Sequence, residues 1–259
     1  CSCGGPLQLT SADGVPACSW CGALAGTWTC PSCGGHRLRA VAIGSERTAE
    51  EIGRAFPGVR VVSSHGGRVL ASVPDEPCVV VATWGAEPTT DPGYRAVVIL
   101  DARAPLQRAT LDATEDAVRR WFAAARLAMP KAPVVVTADN ALAPVQALVR
   151  WDAPWLARRE LAERAAVGLP PATRVAALLG AAADIGEVVG ALTVTHRVLG
   201  PVPVRSGRDG VDVERERALV VVDRAGGLEL ARQLRAITVV RSARARTGVV
   251  HVVIDPRDI

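Results

Sequence analysis

Six of the seven cysteines fall within the first 33 of 259 residues. They form "CSCGGP" (1–6) and "CSWCGALAGTWTCPSC" (18–33). The second stretch holds two Cys-x-x-Cys pairs, Cys18/Cys21 and Cys30/Cys33, eight residues apart. A turn of this kind aims two thiolates at one metal, and two such turns close a tetrahedron. Gly22 and Gly34 follow the pairs and leave room for backbone amides to face the sulfurs. Zinc is the leading reading, ahead of a redox pair, disulfides or an iron–sulfur centre. The candidate ligands are Cys1, Cys3, Cys18, Cys21, Cys30 and Cys33. Six cysteines are too many for one tetrahedron and too few for two. A further pair upstream is the simplest remedy, and the chain, which starts on Cys1, reads as a piece of a longer protein. Cys1 and Cys3 are one residue too close for the usual knuckle, so one of them is expected to stand apart. Cys78, inside "CVVVAT", reads as a small buried hydrophobe.

Apolar residues make up 49% of the chain and aromatics only 3%, so a core of Ala, Val and Leu is expected. No apolar run approaches the ~20 residues of a membrane span. Lys131 is the only lysine among 30 basic residues. So complete a use of arginine reads as coding bias, and the arginine count alone says little about partners.

Beyond the cysteines, short β-branched runs alternate with helical patterns. "RAVAIG" (39–44), "VRVVS", "CVVVAT", "RAVVILD" and "PVVVTAD" (133–139) read as strands. "SERTAEEIGRAF" (45–56) predicts a helix capped by Ser45, with Ile52, Ala55 and Phe56 on one face. "DATEDAVRRWFAAARLAM" (112–129) is the clearest helix, with Asp112 and Glu115 as a capping box and Val118, Trp121, Phe122 and Ala125 as its apolar stripe. Apolar strands alternating with helices predict a parallel sheet covered on both faces, an α/β lobe over residues 37–150. Residues 151–171 read as a connecting helix and linker, with Pro154 in the first turn and Gly168 at the end. From 172 to 259 the order is β-α-β-β-α-β, the split pattern of a small ferredoxin-like α+β domain.

The cysteine module, "GSERTAEEIGRAFPGVRV", "LPP", "VLGPVP" and the terminal "VIDPRD" occur in an order that resembles the C-terminal half of the primosomal protein N′ (PriA) family of bacterial replication-restart proteins. The resemblance runs through essentially the whole chain. It implies a zinc-binding module set on a RecA-like lobe, the second motor lobe of a superfamily-two helicase, followed by the small domain. It also implies two interleaved zinc sites in the complete protein. Cys18 and Cys21 would share one ion with Cys1 and Cys3, leaving one complete site in this chain. Cys30 and Cys33 would pair with cysteines upstream.

The motor motifs of such a lobe are missing. "CVVVAT" runs into "WGAEPTTDPGY" with no Lys-Gly and aromatic, and the helix at "EDAVRRWFAAARLAMP" lacks the Gln-x-x-Gly-Arg-x-Gly-Arg pattern, although Arg119 and Arg120 lie on it. Those arginines would stabilise transition-state charge. The resemblance therefore implies a degenerate helicase lobe, doubtful ATP binding and no catalytic residue. The implied role is recognition of abandoned forks and reloading of the replicative helicase. Implied partners are branched and single-stranded DNA, primosome proteins, the replicative helicase and single-strand-binding protein, in the cytoplasm at the nucleoid and away from membranes. An active ATP-dependent 3′–5′ DNA helicase and a protein-binding zinc-ribbon scaffold are the alternatives.

Two arginine groups are candidate phosphate contacts, Arg205 and Arg208 in "GPVPVRSGRDG", and Arg241, Arg244 and Arg246 in the acid-free "RQLRAITVVRSARARTG". His36 reads as a polar loop residue. His65, His196, His251 and the Glu46, Glu50 and Glu51 run read as incidental.

Overall fold

The computed structural model describes residues 1, 3, 5–8, 14–26, 28–30, 32–36, 44–204, 215–243 and 248–258. The chain divides into two compact units, Cys1–Arg108 with Asp112–Leu156, and Ala109–Leu111 with Ala157–Ile259.

The first unit begins with a two-stranded antiparallel ribbon, β1 (Leu7–Gln8) against β2 (Ala17–Cys18), in which Leu7 faces Cys18. Helix α1 (Ser45–Ala55) follows. Its N-cap is Gly44 in extended geometry, so Ser45 lies one residue inside the helix and the expected Ser45 cap does not form. Nor does α1 bury a residue; Phe56, expected on its apolar face, is exposed. Strands β3 (Arg60–Ser64) and β4 (Cys78–Ala82) pair in parallel, as do β5 (Val97–Ile99) and β6 (Val134–Val136). The parallel pairing follows the predicted alternation. Where one continuous sheet was expected, the described strands form two separate pairs, and Cys78 is half-buried at the start of β4. The "RAVAIG" strand falls mostly outside the described residues.

The core of this unit lies under helices. A short helix α2 (Arg103–Leu106), which the sequence did not announce, precedes α3 (Ala113–Ala125). Ala117, Val118, Trp121 and Ala125 of α3 are buried at helical spacing, against Ile99 of β5, Val145 and Leu148 of α4 (Ala143–Arg150) and Leu156. Trp121, fully buried, is its largest member, and its loss costs about 3–5 kcal/mol in comparable cores. The expected Asp112 capping box is not made: Asp112 forms no side-chain capping bond. Asp116 one turn on is drawn instead to Arg119 at 2.6 Å and Arg108 at 3.2 Å. Those guanidiniums, Arg119 first, hold its carboxyl below the usual aspartate range.

Helix α5 (Ala153–Val167) carries the chain across the division, starting with an Asp152 Oδ1 bond from the Trp155 amide at 2.9 Å and ending at Gly168 with φ +68°. In the second unit β7 (Thr173–Gly180), α6 (Ala182–Gly190), β8 (Arg197–Val204), β9 (Arg215–Asp223), α7 (Gly227–Ala243) and β10 (His251–Ile254) form a four-stranded antiparallel sheet in the order β10-β7-β9-β8. This is the split β-α-β arrangement. Both helices cover one face, where Leu178, Val220, Ile185, Val188, Leu230 and Leu234 are buried together. β8 bulges at Gly200, whose φ is +94° and where an added Cβ would lie 2.7 Å from the Arg217 carbonyl oxygen. Asp255 ties β10 to β7: its amide donates to the Val175 carbonyl at 2.8 Å, its carboxylate accepts from the Val175 amide at 3.3 Å, and it pairs with Arg174.

Candidate metal centre

The β1–β2 ribbon brings the start of the chain against the first knuckle. The Ser19 amide donates to the Pro6 carbonyl at 2.9 Å, and Gly5 packs against Cys18. An added Cβ at Gly5 would lie 2.6 Å from Cys18 Sγ and 2.9 Å from the Trp20 side chain, so only glycine fits that approach.

Around this contact the Sγ atoms of Cys1, Cys3, Cys18 and Cys21 all lie within 4.8 Å of one another. Cys1 and Cys21 stand 3.5 Å apart, as do Cys3 and Cys18. Four sulfurs about 2.3 Å from a central zinc would be about 3.8 Å from each other. The cluster therefore has the size and donor set of a tetrahedral thiolate site, and it is too open for disulfides. Both Cys1 and Cys3 take part, so neither stands apart as their spacing suggested. The ribbon supplies the approach that a regular knuckle would otherwise provide.

Cys18 is the most prepared ligand. It is 3% exposed, and its thiol is lowered from 9.0 to about 7, first by the Cys21 amide and then by the Trp20 amide, whose nitrogen is 3.4 Å from the sulfur. Cys3 moves the other way: the Gly5 amide lowers it, but the neighbouring Cys18 and Cys21 thiols outweigh that and raise it. Cys18 therefore gives up its proton more readily than Cys3, and the thiolate it yields is the form that binds metal.

Cys30 and Cys33 repeat the first knuckle bond for bond. Gly22 donates to the Cys18 carbonyl and Gly34 to the Cys30 carbonyl, each at 2.9 Å. Cys18 donates to Ala23 and Cys30 to Gly35, again each at 2.9 Å. Gly22 and Gly34 have φ of +70° and +69°. The Cys33 and Ser32 amides lower the Cys30 thiol, as their counterparts lower Cys18. Among the described residues no other cysteines complete a tetrahedron with this half-site. His36 is exposed and its Nδ1 lies 3.1 Å from the Trp28 carbonyl oxygen, in keeping with a loop role.

Of the candidate DNA contacts, Arg205, Arg208, Arg244 and Arg246 lie outside the described residues. Arg241 is placed differently from the open arginine edge expected of it. Its side chain is 12% exposed and reaches from α7 to Asp184 and Glu187 of α6 and to the Gly248 carbonyl. Burial disfavours its charge, but the two carboxylates outweigh that and keep it protonated. The acid-free look of its own stretch hid this, because the partners come from a helix over fifty residues earlier. Just beyond β4, the Gly85 amide donates to Glu87 Oε2 at 2.9 Å.

Residues 165–257 match the sequence profile of the primosomal protein N C-terminal domain. Over 276 aligned residues covering the whole chain, it is 41% identical to "Probable replication restart protein PriA" of Mycobacterium tuberculosis (strain CDC 1551 / Oshkosh) and to that of Mycobacterium bovis, covering 42% of each. The protein of the same description from Mycobacterium leprae is 39% identical over 99% of the chain and 41% of its own length. The chain thus spans about two fifths of the length of these curated relatives. An end-to-end match of this strength, with the C-terminal domain in its expected place, assigns the chain to the PriA family of replication restart proteins.

Proposed function

We propose that this chain serves replication restart: it engages abandoned forks and helps assemble the primosome that reloads the replicative helicase. The observation that carries this reading is the identity to PriA relatives along the entire chain. DNA, primosome proteins, the helicase and single-strand-binding protein are its proposed partners, which implies a cytoplasmic, nucleoid-associated location. Among the described residues no helix is long and apolar enough to cross a membrane.

In this reading Cys1, Cys3, Cys18 and Cys21 hold one zinc, and the ion fixes the ribbon and knuckle as a rigid docking surface. Cys30 and Cys33 are half of a second site, completed by cysteines from outside the 259 residues. The lobe over 37–150 keeps a helicase-like role in architecture without turning over nucleotide. Two contacts support that: Glu87 occupies the Gly85 amide with the chain's own carboxylate, and Arg119 is held by Asp116. Arg205, Arg208, Arg244 and Arg246 are the proposed phosphate contacts.

Binding of the 259-residue chain to a forked DNA, measured from low to high salt, tests the reading. Phosphate contacts release counterions, so affinity should fall steeply with salt. Replacing the four arginines with alanine should reduce the slope of log affinity against log salt by roughly 3. A parent chain that does not bind the fork at low salt would refute it.

A further inference from the structure

At the end of α4 the chain turns through Trp151 in the left-handed region, φ 56° and ψ 37°. The Asp152 amide reaches back to the Ala147 carbonyl at 2.9 Å and the Trp151 amide to Leu148 at 3.1 Å, the closure that helices commonly make with glycine. A bulky residue is strained there, and strain of this kind persists where the side chain is held for another purpose. The Trp151 ring stacks on Phe122 of α3, centroids 4.5 Å apart and tilted 35°. That contact uses one side of the indole, yet Trp151 remains 54% exposed.

The surroundings of the ring pair are cationic. Arg126 follows Phe122 by one helical turn on the same face, and Arg150 precedes Trp151; both are exposed. Among the described residues neither forms an ion pair, and Arg150 sits 5.3 Å over the Trp155 ring. The neighbouring Asp152 carboxylate keeps its charge and accepts from the Trp155 amide at 2.9 Å, a bond that holds it at the start of α5. A flat aromatic surface facing water, flanked by unneutralised guanidiniums, matches one ligand chemistry in particular: unpaired nucleobases on a phosphate backbone.

We infer that Trp151, backed by Phe122 and flanked by Arg126 and Arg150, is a stacking platform for single-stranded nucleic acid. Stacking needs a free base face, so a fully paired duplex is not a ligand for it. The platform residues belong to the first unit. Its occupant rests on the DNA-binding reading above, and the test separates the two.

Three probes are compared on the 259-residue chain: an oligothymidine, the same length with abasic sites, and a fork with blunt duplex arms. Trp151→Gly removes the ring and its contact with Phe122 but relieves the left-handed backbone, and the two effects oppose each other, so its thermal midpoint should stay within a few degrees of the parent's. Its affinity for oligothymidine should fall roughly 5- to 100-fold. Affinity for the abasic strand and the duplex fork should stay within about twofold, because those ligands offer the ring little. Trp151→Phe should restore most of the lost affinity, and Arg126→Gln should lower the salt slope for oligothymidine by about 0.7. If Trp151→Gly binds oligothymidine as tightly as the parent, the platform is refuted while fork binding stands, and the exposed ring is then a packing or protein-contact surface. If the parent does not distinguish oligothymidine from the abasic strand, the platform is refuted as well.

Discussion

Two residues carry more of the account than their size suggests. Gly5 has no side chain to collide with Cys18, so Gly5→Ala forces the ribbon and the knuckle apart at the sulfur. Zinc affinity should drop at least tenfold in a competition titration with a chromophoric chelator, while far-ultraviolet circular dichroism stays near the parent's. Cys18 sets the acid limit of the same site. Its folded value is depressed from 9.0 to about 7, so in the metal-free chain it contributes stability that is full above about pH 9 and lost as pH falls through about 7. Zinc binding competes with the same proton, so affinity should fall from pH 7.5 to pH 6. An affinity that is flat over that range would show that Cys18 is not a ligand. Gly22 and Gly34 were legible in sequence as turn residues; Gly5 was not, since its constraint comes from the β1–β2 pairing, which sets it against Cys18 and Trp20 on the other strand's side.

At the scale of elements, the second unit was legible because its strands read as β-branched runs, as in "ERALVVVD", separated by Pro, Gly and polar segments, and the β-α-β-β-α-β order follows from that spacing. The first was harder. Its strands are short, and a run of three valines such as Val134–Val136 reports β preference without saying which neighbour it will pair with. The two expected caps failed for different reasons: α1 starts one residue early, with Gly44 as its N-cap, whereas Asp112 holds the N-cap position of α3 without a capping bond and the ion pairs gather on Asp116, one turn on. Arg241 is the same lesson between elements. It clamps α7 to α6, so Arg241→Ala removes the guanidinium that Asp184 and Glu187 share. That variant should lose about 1–3 kcal/mol in urea unfolding. Loss of DNA affinity with unchanged stability would instead return Arg241 to the phosphate-contacting group. Asp255, in the terminal stretch shared with the family resemblance, has a structural reason of its own as the latch between β10 and β7. Asp255→Ala should cost about 1–2 kcal/mol in the same assay.

At the scale of the whole molecule, a four-cysteine cluster and an α/β unit, proposed above to work without a motor, precede a domain that matches the primosomal protein N C-terminal profile. ATP turnover should be absent: with or without forked DNA, phosphate release by the chain should stay at background. Turnover of about 1 per second, abolished by Arg119→Ala, would instead show a working motor. The claim on which the rest leans is that the amino-terminal cysteines form a metal centre. Native mass spectrometry of the reduced, purified chain, with total zinc determined in parallel, tests it most directly. About one firmly held zinc per chain is expected, lost when Cys3 and Cys18 are both replaced by serine and kept when Cys30 and Cys33 are. A chain that carries no zinc and whose thiols all react freely, or one whose zinc survives the Cys3 and Cys18 replacement, would contradict it.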